Sequence, residues 1–177
     1  MISPAPFSAA HAFLLRLNET PPCANAVAKR RNGQETDTMA EAAGNHLFDL
    51  VRAHLPADPG GRTVIESVPD GRHHSYADLL ARSAAYADAL TRLGVKTGDR
   101  VAVQVEKSAE VIFLYLGAVR AGAVFLPLNT AYTGAEIAYF LGDAEPALFV
   151  CDPARESDFL GVAREAGVTQ VRTLGGD

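Results

Sequence analysis

The chain has 177 residues, of which 48% are hydrophobic, and a net charge of −5 at pH 7. This length fits about one domain, and the hydrophobic fraction is sufficient for a substantial core. The acidic balance, without a basic stripe interleaved with aromatic residues, argues against a nucleic-acid partner. The longest apolar run, residues 111–119, is too short to span a bilayer, so no membrane partner is expected.

Residues 1–38 lack sustained periodicity and mix Pro, Ser, Ala, Asn and Thr. Two interpretations stay open. The segment is a disordered extension or a stretch ahead of a start at Met39; alternatively, Arg16 and the "AKRR" of residues 28–31 indicate an organelle leader. Cys23 and Cys151 show neither metal-site nor redox spacing, which favours a reducing compartment. The expected location is therefore cytoplasmic, or mitochondrial if residues 1–38 are a leader.

Helical and strand-like patterns alternate from Asn45 to the end of the chain. Two Ser/Thr-x-x-acid capping boxes, Ser75 with Asp78 and Thr133 with Glu136, mark helix starts. The predicted elements are a helix over 45–55, strands over 63–68 and 72–75, a helix over 75–93, a strand over 101–105, a helix over 108–121, a strand over 124–128, a helix over 133–141, a strand over 147–151, a helix over 153–166 and a strand over 168–173.

The inner strands are continuous apolar runs joined to the helices by short links, as in sheets that are covered on both faces. The pattern therefore predicts an α/β fold with a mostly parallel sheet flanked by helices. Gly122 is expected to end a helix in the left-handed conformation. Pro127 lacks a backbone donor, so it should lie on an edge strand or at a strand's carboxyl end. Asn129, Thr130 and Tyr132 would then lie at the rim of the sheet where ligands bind.

Two stretches, "HSYADL" (74–79) and "RAGAVFLPLN" (120–129), resemble motifs of the adenylate-forming enzymes, a superfamily that includes acyl-CoA ligases. Residues 98–153 are most similar to malonyl-CoA synthetases, and the resemblance covers roughly residues 45 to 175. Arg120 stands where these enzymes frequently have Lys. The positions that carry the motifs, in structural rather than catalytic roles, are Ser75, Tyr76, Arg120, Gly122, Pro127 and Asn129.

The resemblance implies a ligase that converts a small carboxylic acid such as malonate, with ATP, to an acyl-adenylate and then to a CoA thioester. The complete family enzyme uses ATP, Mg and CoA. The sequence contains no Ser/Thr/Gly-rich phosphate loop, so residues 39–177 are interpreted as an incomplete N-terminal α/β subdomain. It is expected to bind no cofactor alone, to be inactive, and to have the remainder of the ligase as its partner. The alternatives are a subunit that docks with a separately encoded catalytic chain and an independent flavodoxin-like nucleotide-binding module.

Few residues suggest chemistry of their own. Lys107 follows a strand's carboxyl end and could face a nucleotide phosphate, although a solvated loop whose Ser108 caps the helix is the favoured interpretation. Neighbouring strand side chains point to opposite faces, so His73 and His74 are not expected to share a metal. Cys151 fits a small core residue. No catalytic residue and no metal ligand is predicted.

Overall fold

The computed structural model describes residues 46–68 and 70–175, so the predictions for residues 1–38 and the Asn45 cap lie outside the described residues. The secondary structure alternates as the sequence predicts. Its elements are α1 (His46–Ala53), β1 (Thr63–Glu66), β2 (His73–Ser75), α2 (Tyr76–Arg92), β3 (Arg100–Gln104), α3 (Ala109–Arg120), β4 (Val124–Pro127), α4 (Gly134–Ala144), β5 (Leu148–Cys151), a 3-10 turn (Pro153–Arg155), α5 (Glu156–Glu165) and β6 (Val171–Thr173).

The sheet contains four parallel strands in the order β4-β3-β5-β6, while β1 and β2 form a separate antiparallel hairpin. The predicted parallel α/β fold is therefore confirmed. Several strands are one or two residues shorter than predicted, and β6 is three residues shorter, because residues 168–170 form a loop. Within this loop the carbonyl of Gln170 accepts from the amide of Phe149 in β5 at 3.0 Å. The last predicted helix begins with the 3-10 turn, so α5 itself starts at Glu156.

Helices cover both faces of the sheet, and β3 shows this directly. Val101 and Val103 pack into a cluster with residues of α2 and α3, whereas Ala102 between them packs with residues of α4 and α5. Each of these three side chains is at most 3% exposed. A strand that is buried on both faces needs apolar residues at successive positions, which explains its unbroken run.

Local sequence rules place the helix ends. Ser75 and Thr133 each accept from the third backbone amide of their helix, and the side chains of Asp78 and Glu136 return the bond to the cap residue. Gly122 ends α3 with φ +73°. Pro127 is the last residue of β4, which pairs only with β3 in the described sheet.

Among the described residues, no helix is both long and apolar enough to cross a membrane.

Candidate functional site

An open cleft of about 600 Å³ lies at the carboxyl ends of β3, β5 and β6, against the β1–β2 hairpin. From β3 the chain runs to β4 on one side and then crosses to β5 on the other. The gap between β3 and β5 is therefore the point at which the strand order reverses, which is where open α/β sheets bind ligands. The cleft volume is within the range of about 300–1,000 Å³ that is usual for small-molecule sites.

The structure places Lys107 on this cleft, in the loop between β3 and α3. The side chain is exposed, and within the described part of the chain it makes no hydrogen bond or ion pair. Ser108, next to it, is the N-cap of α3 and accepts a hydrogen bond from the amide of Val111 at 3.4 Å. Ser108 therefore caps the helix as expected, while contact between Lys107 and a nucleotide phosphate stays a prediction.

The charge of the cleft does not favour a phosphate group. Five carboxylates line it, against two cationic side chains, Arg72 and Lys107; the carboxylates belong to Glu66, Asp70, Glu106, Glu110 and Asp152. Asp70 pairs with Arg72, which lowers the pKa of the carboxyl group. Glu110 pairs with Arg82, which leaves Glu66, Glu106 and Asp152 without an ion pair among the described residues. Coulomb repulsion between these three carboxylates and a phosphate opposes binding. The described residues contain no group of three His, Cys, Asp or Glu side chains placed to hold a metal ion.

A partly buried group of hydrogen-bonded side chains fixes one wall of the cleft. The Tyr86 hydroxyl donates to Glu110 at 2.8 Å, and Arg82 forms an ion pair with the other Glu110 oxygen at 2.8 Å. The Arg82 guanidinium also lies over the ring of Phe113. Burial and the Glu110 charge together raise the pKa of Tyr86 far above its ordinary value. Tyr86 therefore remains a neutral donor and holds Glu110 at the start of α3.

The segment after β4 occupies a different part of the rim, and Asn129, Thr130 and Tyr132 do not line the cleft. The Asn129 side-chain oxygen accepts from the amide of Ala131 at 3.0 Å, which forms a tight turn. The Tyr132 ring stacks on Phe140 of α4, with 4.9 Å between ring centres. The buried side chain of Gln104 donates to two carbonyls of this turn, a contact that short-range sequence patterns do not predict.

The motif positions are spread over the fold rather than gathered at one site. Ser75 and Tyr76 begin α2. Arg120 ends α3 and donates to the Leu80 carbonyl at 2.8 Å and to the Ser83 hydroxyl at 3.0 Å, both on α2. Gly122, Pro127 and Asn129 follow along the turn, strand and loop after α3. None of the six motif residues lines the cleft.

The remaining sequence candidates have ordinary surroundings. His73 is exposed, while His74 is half-buried with its ring 5.3 Å from the ring centre of Phe113 in an edge-on contact. Cys151 is completely buried, as expected of a core thiol, and burial raises its pKa to about 12.

A parallel sheet covered on both faces, with a cleft at the strand reversal, defines this chain as a doubly wound α/β protein. The profile of the family described as "AMP-binding enzyme" matches residues 52–174. The chain therefore belongs to the AMP-binding enzyme family, and its fold is that of the adenylate-forming enzymes.

Solved structures of MatB from Rhodopseudomonas palustris are similar to this chain. The apo form is 48% identical, with a TM-score of 0.63 over 68% of this chain and 23% of MatB. The ATP-bound form is 45% identical, with a TM-score of 0.68 over 74% of this chain and 25% of MatB. The long-chain-fatty-acid–CoA ligase FadD13 of Mycobacterium tuberculosis is 35% identical over 95 residues, which are 54% of this chain and 19% of FadD13. The chain thus spans a quarter or less of these relatives.

Proposed function

We propose that this chain is the N-terminal part of an ATP-dependent acid–CoA ligase that acts on a small acid such as malonate. The observation that carries the proposal is the 45–48% identity to MatB, a malonyl-CoA synthetase. The identity to FadD13 is lower, at 35%, which favours a small acid over a long-chain one. The proposed overall reaction joins the acid to CoA through an acyl-adenylate, with ATP, Mg and CoA supplied to the complete enzyme.

The lining of the cleft supports assigning ATP binding to another part of the ligase. The cleft carries more carboxylates than cations, and Lys107 is its one cation without a described partner. A phosphate cradle needs several backbone donors together with a cation. We therefore assign this chain the role of scaffold, with the nucleotide handled by the remainder of the ligase as its partner. The same charge balance argues against an independent nucleotide-binding module.

Segment exchange in MatB tests the proposal. ATP-bound structures of RpMatB-BxBclM chimeras exist, so MatB tolerates replacement of parts of its sequence. We expect a MatB whose matching quarter is replaced by residues 46–175 of this chain to retain malonate-dependent ATP–pyrophosphate exchange. Residues 46–175 placed in FadD13 instead should give less malonate-dependent ATP–pyrophosphate exchange. A folded MatB chimera without exchange activity would contradict the shared role.

An activity measurement on the isolated chain provides a second test of the proposal. Purified residues 1–177 should show no ATP–pyrophosphate exchange with malonate, because the cleft of the described residues offers a phosphate few cations. Measurable exchange by this chain alone would overturn the scaffold role while leaving the family membership intact.

Cytoplasmic location, with mitochondrial import as the alternative, stays a prediction that localisation of a tagged full chain would test.

A further inference from the structure

Gln104 is a buried polar residue at the carboxyl end of the central strand β3. Its side chain is 3% exposed, and its position in the strand places it on the face covered by α4 and α5. The side-chain amide donates to the carbonyl of Asn129 at 2.7 Å and to the carbonyl of Tyr132 at 3.4 Å. The two acceptors are the first and last residues of the turn between β4 and α4, so one side chain holds both ends of residues 129–132.

The other end of the same side chain makes no hydrogen bond. Oε1 of Gln104 is buried and has no partner among the described residues. A buried acceptor without a donor is unfavourable, and an apolar side chain of the same length would avoid that cost. An amide at this position is therefore poorly explained as core filling. The two donations to the turn are the interactions that an apolar residue cannot supply.

We propose that Gln104 is a positioning residue that holds residues 129–132 in one conformation at the carboxyl rim of the sheet. Its contacts add to two local bonds, from Ala131 to the Asn129 side chain and from Tyr132 to the Asn129 carbonyl at 3.0 Å. This inference rests on the proposed function, because it is a ligase scaffold that must present this rim in a fixed shape to the remainder of the enzyme.

Amide hydrogen exchange of the 177-residue chain, followed by NMR, tests this role. In Gln104→Met, which keeps length and volume, the amides of Ala131 and Tyr132 should exchange about tenfold faster than in the wild type. The amide of Leu141, inside α4, should keep its protection, and the melting temperature should change by only a few degrees. Unchanged exchange at Ala131 and Tyr132, or equal loss of protection at Leu141, would overturn the proposal.

Gln170 offers a matched control. Its side-chain amide also donates to a backbone carbonyl, that of Leu93 at 2.9 Å, at the opposite end of the sheet. Gln170→Met removes the same kind of bond with the same change of volume. It should leave exchange at residues 129–132 unchanged, and a similar acceleration there would count against a specific role for Gln104.

Gln104→Glu gives a signature that loss of packing alone cannot produce. A neutral carboxyl group has one donor for the turn, whereas an ionised one has none. Burial beside two carbonyl oxygens raises the pKa of a carboxyl group at this position. Faster exchange at residues 129–132, relative to the wild type at the same pH, should therefore appear at pH 9 and diminish towards pH 5. The comparison at equal pH cancels titration of the groups near this rim, which are Tyr132, Glu136, Cys151, Asp152 and Glu156. A ratio independent of pH would overturn the proposal. ATP turnover is not measured, so failure here is distinct from failure of the proposed function.

Discussion

The guanidinium group of Arg120 lies 4.4 Å from the centre of the Phe48 ring, which joins the end of α3 to α1. The same side chain donates to the Leu80 carbonyl and the Ser83 hydroxyl of α2, and Ser83 is completely buried. Arg120 therefore connects three helices on one face of the sheet. Burial lowers its pKa somewhat, which is consistent with a guanidinium packed between helices.

We predict that Arg120→Lys destabilises the fold by about 1–2 kcal/mol, because lysine lacks the planar fork that donates to α2 while stacking on a ring. Chemical denaturation with urea measures the change. Arg92→Lys is the matched control, since Arg92 pairs with Asp88 and both side chains are 59% exposed. It should change stability by less than about 0.5 kcal/mol. Equal effects at the two positions would refute the bridging role.

Gly122 is constrained both by its backbone and by its neighbour. It has φ +73°, and an added Cβ would lie 2.9 Å from side-chain atoms of Thr97. Gly122→Ala should therefore cost about 2–3 kcal/mol, as the sum of a left-handed alanine and a tight contact. Gly142→Ala is the control, because Gly142 lies within α4 and an added Cβ would meet nothing within 4 Å. That variant should be more stable by about 0.5–1 kcal/mol in the same denaturation assay.

Gly117 marks the closest approach of α2 and α3. A Cβ there would lie 2.5 Å from Cβ of Tyr86 and 3.0 Å from the Ala87 amide nitrogen, and no change of rotamer moves either atom. Gly117→Ala should therefore force the helices apart and cost about 2 kcal/mol or more. Gly161→Ala, in α5 with open space around it, should not destabilise. Comparable midpoints for the two variants in urea would show that the helices can separate freely.

The sequence predicts those features that short-range rules determine. The Ser75 and Thr133 caps, the left-handed Gly122 and the position of Pro127 all follow from a few neighbouring residues. The strand order and the approach of Gly117 to Tyr86 could not be predicted, because they depend on residues more than twenty positions apart.

The candidate site also combines features that the sequence shows with features that only the fold brings together. The strand end before Lys107 is visible in the sequence, whereas the hairpin that closes the cleft against it is brought there by the fold. One feature of the sequence does point to Gln104, because it is a polar residue within the apolar run "VAVQV". Its partners, Asn129 and Tyr132, follow only from the pairing of β3 with β4.

The buried Cys151 thiol makes stability depend on pH in alkaline solution. Burial raises its pKa to about 12, whereas an unfolded chain has a thiol pKa of about 8.5. Above the lower value the unfolded state loses a proton that the folded state keeps, so the free energy of unfolding should fall by about 1.4 kcal/mol per pH unit from that point towards pH 12. In a Cys23→Ala background under reducing conditions, Cys151→Ala should remove this slope. Urea unfolding at pH 8, 9 and 10 gives the comparison, and parallel profiles with and without Cys151 would disprove the neutral buried thiol.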